Sequence, residues 1–192
     1  MTVEKPALRA DARRNRERVL AAAEAAFAVD GLAVPLDEIA RRAGVGAGTV
    51  YRHFPSKEAL FQAVVLDRLA VFSAEARTLL EASDPGEAFF DYFKRVIVQV
   101  SLDKALCDAL TETTGSGFKA EADDDFRDGL AELLARAQRA GAVRADLDPA
   151  DLRALVIGCL AVERHAPPGH HHLVDVVLDG LRVTQVTRRS FR

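Results

Sequence analysis

Residues 36–54 read Leu36-Asp37-Glu38-Ile39-Ala40-Arg41-Arg42-Ala43-Gly44-Val45-Gly46-Ala47-Gly48-Thr49-Val50-Tyr51-Arg52-His53-Phe54. Two short helical segments, Leu36 to Ala43 and Ala47 to Phe54, follow one another so closely that they must cross at a steep angle. Such a crossing needs a small residue where the helices touch, which Ala40 supplies, and a turn residue tolerant of positive φ, which Gly44 supplies. Ile39, Val45, Val50 and Phe54 are spaced to anchor the second helix as core residues. Asp37 and Glu38 suit a helix N-terminus, and Pro55 closes the second segment. The pattern is that of a helix-turn-helix, whose second helix would lie in the major groove of DNA. Ala47, Gly48, Thr49, Tyr51, Arg52 and His53 would then face bases and phosphates.

Upstream, Leu20, Ala23 and Phe27 recur at helical spacing within a segment from about Asp11 to Asp30, and Gly31 stands where a C-cap belongs. The net charge of −3 hides an asymmetry. Residues 1–60 hold ten Lys and Arg against eight Asp and Glu, and residues 61–192 hold sixteen against twenty-one. Six of the cations (Lys5, Arg9, Arg13, Arg14, Arg16 and Arg18) fall in the first eighteen residues, as a basic arm able to touch phosphates.

Downstream, Ser56 can cap a fourth helix running to about Ala82, and Ser83-Asp84-Pro85-Gly86 breaks the pattern. Further helical patterns cover roughly 87–100, 102–113, 123–140, 149–164 and 171–188, and no alternating strand pattern competes. Asp148, Pro149 and Asp151 mark the start of the helix at 149. The expectation is an all-α chain of about nine helices. Residues 1–55 form a basic arm and three-helix DNA-binding domain, 56–82 a connector helix, and 83–192 a ligand-binding and dimerisation domain.

Composition agrees with a helical globular protein: of 192 residues, 49% are hydrophobic, 29% charged and 6% aromatic, which excludes wholesale disorder. The two cysteines, Cys107 and Cys159, make no disulfide framework. With no secretion signal and no run of roughly 18 apolar residues, a cytoplasmic protein without a membrane partner is expected.

Residues 11–66 resemble the DNA-binding head of the tetracycline-repressor (TetR) family. An amphipathic first helix ends in Phe27 to Gly31, a helix-turn-helix follows, and Gly48-Thr49-Val50-Tyr51-Arg52-His53-Phe54-Pro55-Ser56-Lys57 matches the family signature of Gly-Thr-hydrophobic-Tyr-x-His-Phe-x-x-Lys. The resemblance implies that Tyr51, His53 and Lys57 contact phosphates and that Thr49 approaches phosphates or base edges. Arg52 has the reach for bidentate contacts to guanine. It also implies a repressor that binds a palindromic operator as a homodimer and is released by a small-molecule effector of unknown identity. Gly46 departs from the Ser or Thr of many relatives, which removes a side-chain cap. Recognition is therefore expected to lean on Thr49, Arg52 and the arm residues Arg13, Arg14 and Arg16, with DNA shape contributing.

In the body, Leu152, Leu155, Val156 and Leu160, followed by Leu173, Val174, Val177, Leu178 and Leu181, are rich enough in apolar surface to suggest a two-fold four-helix interface. Packing within one subunit is the alternative. Phe89, Tyr92, Phe93, Cys107, Leu110, Thr111, Phe126 and Cys159 are candidates for a ligand pocket, although an aromatic stripe at helical spacing also describes core. The runs His170-His171-His172 and Asp123-Asp124-Asp125 are read as a solvated turn and a helix start, so no metal or other cofactor is expected. Two rival readings remain. One is a helical interaction protein without DNA binding. The other is an enzyme using Cys107 or Cys159 with His165, and it lacks a plausible third member.

Overall fold

The computed structural model describes residues 5–101, 121–165 and 172–183. These form α1 (Lys5–Asp30), a 3₁₀ turn (Gly31–Ala33), α2 (Leu36–Ala43), α3 (Ala47–His53), α4 (Lys57–Leu79), α5 (Pro85–Ser101), α6 (Glu121–Arg139), α7 (Pro149–His165) and α8 (His172–Leu181). The helix expected over 102–113, with Cys107, Leu110 and Thr111, lies outside the described residues, as do His170 and His171. Two compact units emerge, and the division falls inside α4, between Ala70 and Val71, inside α5, between Gln99 and Val100, and inside α6, between Asp123 and Asp124. The break at Ser83 to Gly86 is a turn within the second unit.

The first unit is built on one apolar cluster. Helix α1 contributes Val19, Leu20, Ala23, Ala26 and Phe27 at intervals that keep one face inward; α2 contributes Leu36, Ile39, Ala40 and Ala43; Val50, Phe54, Leu60 and Val64 complete it. Phe27 meets Phe61 edge-to-face, with centroids 5.6 Å apart. Each large side chain buried here is worth about 1.5–3 kcal/mol. Helix α1 starts at Lys5, ahead of the expected Asp11, so the basic arm is helical from there and the arginines from Arg13 to Arg18 stand on the same helix. Ala and Arg are good helix formers, and the pairs Arg14–Asp11 and Arg13–Glu17 sit at the three- and four-residue spacings that support one.

In the second unit local chemistry again sets the helix starts. The Asp84 carboxylate accepts from the Glu87 N–H at 2.9 Å, with Pro85 in the first turn of α5. Asp148 accepts from the N–H groups of Ala150 (2.7 Å) and Asp151 (2.8 Å), while Asp151 accepts from the Asp148 N–H at 3.1 Å, a reciprocal cap for α7. Arg136 of α6 closes the end of α4 by donating to the carbonyls of Leu79 (3.3 Å) and Ala82 (2.7 Å). The fully buried Tyr92 donates its hydroxyl to the Phe72 carbonyl at 2.9 Å. Burial, and secondarily the Glu75 charge, push that phenol above its ordinary range.

Helix α8, expected to run to 188, ends at Leu181. There the backbone turns to a different partner: Arg182 bridges Val143 antiparallel, the Arg144 N–H donates to the Leu181 carbonyl at 3.0 Å, and the Val183 N–H donates to the Ala142 carbonyl at 3.1 Å. The Arg182 guanidinium covers the Phe90 ring at 4.0 Å, adding a cation–π contact.

Gly86 sits where a Cβ would come 2.5 Å from the Cβ of Ala142. Gly86→Ala is expected to destabilise the chain by about 1–3 kcal/mol through that clash. At an open helix position the same change stabilises by up to about 1 kcal/mol. Urea unfolding at fixed protein concentration reads the sign, and a stabilised variant would refute the close approach.

Candidate DNA-binding surface

The turn between α2 and α3 is a complete helix stop. Gly44 adopts φ 63° and ψ 38°, its N–H donates to the Arg41 carbonyl at 3.1 Å, and the Val45 N–H donates to the Ala40 carbonyl at 3.1 Å. These are the paired bonds of a Schellman motif, closed by Val45 packing against the core. Arg18 of α1 adds two more bonds, with Nη2 donating to the carbonyls of Ala43 (2.6 Å) and Gly44 (2.7 Å). Helix α3 is preceded by Gly46, its N-cap, extended at φ −69° and ψ 145° and offering no side-chain cap.

Val50 faces inward and is fully buried, which turns the opposite side of α3 outward. Gly48, Tyr51 and Arg52 are exposed, Tyr51 by half, while Ala47, Thr49 and His53 are half-buried. These six residues share one helix of seven residues. Lys57 opens α4, and its ammonium donates to the Leu32 carbonyl at 2.9 Å, leaving two further N–H bonds of the same group for a phosphate. Arg16 is brought to the end of α3, its guanidinium 5.7 Å from the Phe54 ring centroid. Arg13 and Arg14 lie on the exposed face of α1, paired with Glu17 and Asp11.

Sequence reading missed two features of this surface. One is a charge network on α2. Glu38 accepts from Arg41 Nε and Nη2 (both 2.7 Å) and from Arg42 Nε (2.8 Å), and Arg42 reaches Asp30 at 3.1 Å. Its signal was present, because Arg41 and Arg42 follow Glu38 by three and four residues. The other is Arg18, whose partners lie 25 and 26 residues away and leave no local trace.

The remaining candidates distribute differently from expectation. Leu152, Val156, Leu160, Val174, Leu178 and Leu181 are buried within the chain, so they are corrected from interface to core. Their spacing of three and four lines the inward stripes of α7 and α8, which pack on each other. Leu155, Leu173 and Val177 stay half-exposed, beside exposed Ala154, Gly158, Ala161 and Val176. Of the pocket candidates, Phe89, Tyr92, Phe93 and Cys159 are buried. Phe126 lines a groove of about 280 Å³ between α6 and the start of α7, together with Leu130, Leu152 and Val156, and its ring lies 5.9 Å from Phe72.

Two family models match the chain, one at each end. Residues 84–183 match the model described as transcriptional regulator SbtR-like, C-terminal domain, and residues 19–64 match that of bacterial regulatory proteins, tetR family. The chain belongs to the TetR family. A TetR transcription regulatory protein from Mycobacterium vanbaalenii is 49% identical, with 92% of this chain and 99% of that one covered at a TM-score of 0.72. A TetR transcriptional regulator from Streptomyces coelicolor is 34% identical, with coverage of 88% and 99% and a TM-score of 0.69. An HTH-type transcriptional regulator of Staphylococcus aureus is 32% identical over 101 residues, 52% of this chain, and the chain spans about half the length of the curated relatives it matches. All of α2 and α3 in this TetR-family chain lies inside the N-terminal match, whereas Arg13, Arg14, Arg16 and Arg18 precede it.

The Glu38 network carries a pH signature. Hydrogen bonds from Arg41, then Arg42, hold the Glu38 carboxyl at about 2, against an ordinary 4.5. A depressed carboxyl stabilises the fold fully above pH 4.5, and that contribution disappears as pH falls through about 2. The difference in melting temperature between wild type and Glu38→Gln is therefore expected to be largest at neutral pH and to shrink between pH 4.5 and 2. A difference independent of pH would show that the network contributes nothing through charge.

Proposed function

We propose that this chain is a DNA-binding transcriptional regulator, a cytoplasmic repressor that reads a palindromic operator as a homodimer and is released by a small-molecule effector. The observation that carries the reading is the α2–turn–α3 geometry: Val50 buried beneath, with Gly48, Tyr51 and Arg52 presented on the outer side of a helix that fits the major groove. Tyr51, His53 and Lys57 take phosphates, Thr49 and Arg52 take base edges, and Ala47 and Gly48 let the backbone come close. Arg13, Arg14 and Arg16 contribute to the surrounding potential from α1.

Two heads are needed to read a palindrome, and the half-exposed Leu155, Leu173 and Val177 with Val176, 62% exposed, form the face proposed to pair two copies. Small residues at Ala154, Gly158 and Ala161 let a partner helix approach. The effector enters among the helices of the second unit, with Phe126 in its groove against Phe72 of α4. Helix α4 carries residues of both units, so a shift of α4 on effector binding alters the spacing of the two heads and weakens operator binding.

No helix among the described residues is long and apolar enough to cross a membrane. Cys159 is poorly suited to be a nucleophile, because burial, with Glu163 adding to it, pushes its thiol up to about 11. His165 stands exposed at the end of α7 with Nδ1 2.9 Å from the Ala161 carbonyl.

Duplexes selected from a random pool provide the operator for the test. Binding is expected to weaken steeply with salt. Lys57→Ala should flatten the slope of log K against log salt by about 0.9, one phosphate's worth. Arg52→Ala should cost about 1–3 kcal/mol and relax selectivity at one base pair. Selection of no duplex by wild type would overturn the reading. In sedimentation, Val176→Glu should convert dimer to monomer, and a variant that stays dimeric would move the interface off α7 and α8.

A further inference from the structure

Helix α3 has little of its own to fix its direction. It is seven residues long, starts without a side-chain cap, and is separated from α2 only by Gly44-Val45-Gly46. Its aim must come from whatever holds the turn. Val45 anchors one side in the core. On the other side stands Arg18, one helix turn before Ala22 on α1, with Nη2 on two successive carbonyls, Ala43 and Gly44, and Nη1 3.5 Å from the Asn15 side chain.

We infer that Arg18 is a positioning residue for DNA recognition, a clamp that ties the end of α2 and the turn to α1 and thereby sets the angle at which α3 is presented. It rests on the DNA-binding reading above. Three features support it. A cation at the C-terminal end of α2 meets the negative end of the helix dipole, so the charge has a favourable partner inside the head. A planar guanidinium can serve two neighbouring carbonyls from one nitrogen, which commits that nitrogen away from a phosphate. A Cβ on Gly44 would lie 2.7 Å from that same Nη2, so the place a side chain would occupy is already taken by Arg18. Gly44 is required by its φ of 63°, and a Cβ there would have to displace the Arg18 guanidinium from its two carbonyls.

A clamp and a phosphate contact leave different traces. With Arg18→Met, which keeps length and removes the charge, a clamp predicts operator affinity lowered about tenfold with the salt slope unchanged. Non-specific duplex binding should fall less, because a misaimed α3 loses base contacts before phosphate contacts. Arg18→Lys should recover part of the loss. A slope flattened by about 0.9 with specific and non-specific binding falling together would instead make Arg18 a phosphate ligand and overturn the clamp.

A second measurement needs no DNA. In a double-mutant cycle on thermal stability, Gly44→Ala should cost less in the Arg18→Met background than in wild type, since the guanidinium it would displace is gone. Should Arg18→Met fail to fold, the cycle is run with Arg18→Lys, and amide hydrogen exchange at Gly44 and Val45 should still quicken. Additive melting shifts with unchanged exchange would overturn the clamp. Wild type that binds no duplex would sink the DNA-binding reading itself, a result distinct from either outcome at Arg18.

Discussion

The head of this protein depends on one residue held in the left-handed region. Gly44, at φ 63° and ψ 38°, reverses the chain between α2 and α3 so that Val45 returns to the core and Val50 arrives beneath α3. A side chain there would cost roughly 1–2 kcal/mol of backbone strain. It would also meet the Arg18 guanidinium. Helices of eight and seven residues cannot persist alone in water, so α2 and α3 exist because this turn lets both bury an apolar face on α1 and α4. The bend and the burial are one constraint: loosening the turn uncovers Val50 and Phe54 together.

Much of the positive charge in the head serves the fold. Arg41 and Arg42 hold Glu38, Arg42 also reaches Asp30, Arg18 closes α2, Arg16 covers Phe54, and Lys57 secures the 3₁₀ turn through Leu32. The surplus of two cations over residues 1–60 therefore understates how selectively charge is displayed. Paired arginines still contribute to the potential around the head, but a pair is weaker at a distance than its cation alone. Arg52 stands exposed on the outer side of α3.

Features written in neighbouring residues were legible in advance. The bounds of α2 and α3, the left-handed Gly44, the missing cap at Gly46, the Ser56 cap that accepts from the Ala59 N–H at 3.1 Å, and the Asp148 start of α7 all follow from chemistry within a few positions. Apolar stripes were legible only as stripes. Leu152, Val156 and Leu160 carry the same spacing whether they face a second copy or their own core, and nothing within α7 chooses between them. The distinction lies in Leu133, Leu134, Val174 and Leu178, which are buried in the same unit. The end of α8 was hidden for a like reason, since its apolar periodicity runs on while the backbone at Arg182 finds Val143.

The opening of α3 shows how a weak helix can suit recognition. Gly46 and Gly48 flank Ala47, and a Cβ at either glycine would meet nothing within 4 Å, so packing does not demand glycine at these positions. Alanine would raise helix propensity by up to about 1 kcal/mol at an interior position. A sequence selected only for folding would gain by filling Gly48, whereas at Gly46, the N-cap, glycine already serves better than alanine. Leaving Gly48 bare costs helix stability, and the two glycines together give a surface on which the backbone itself can approach a ligand closely, as it would a phosphate chain or a groove wall. In the proposed reading, side-chain contacts to base edges then fall to Thr49 and Arg52, on the stretch of helix that the buried Val50 fixes from below. The instability at the start of α3 and the external restraints on its direction are two sides of one arrangement: a helix that needs close backbone approach at its tip has to be aimed by residues elsewhere.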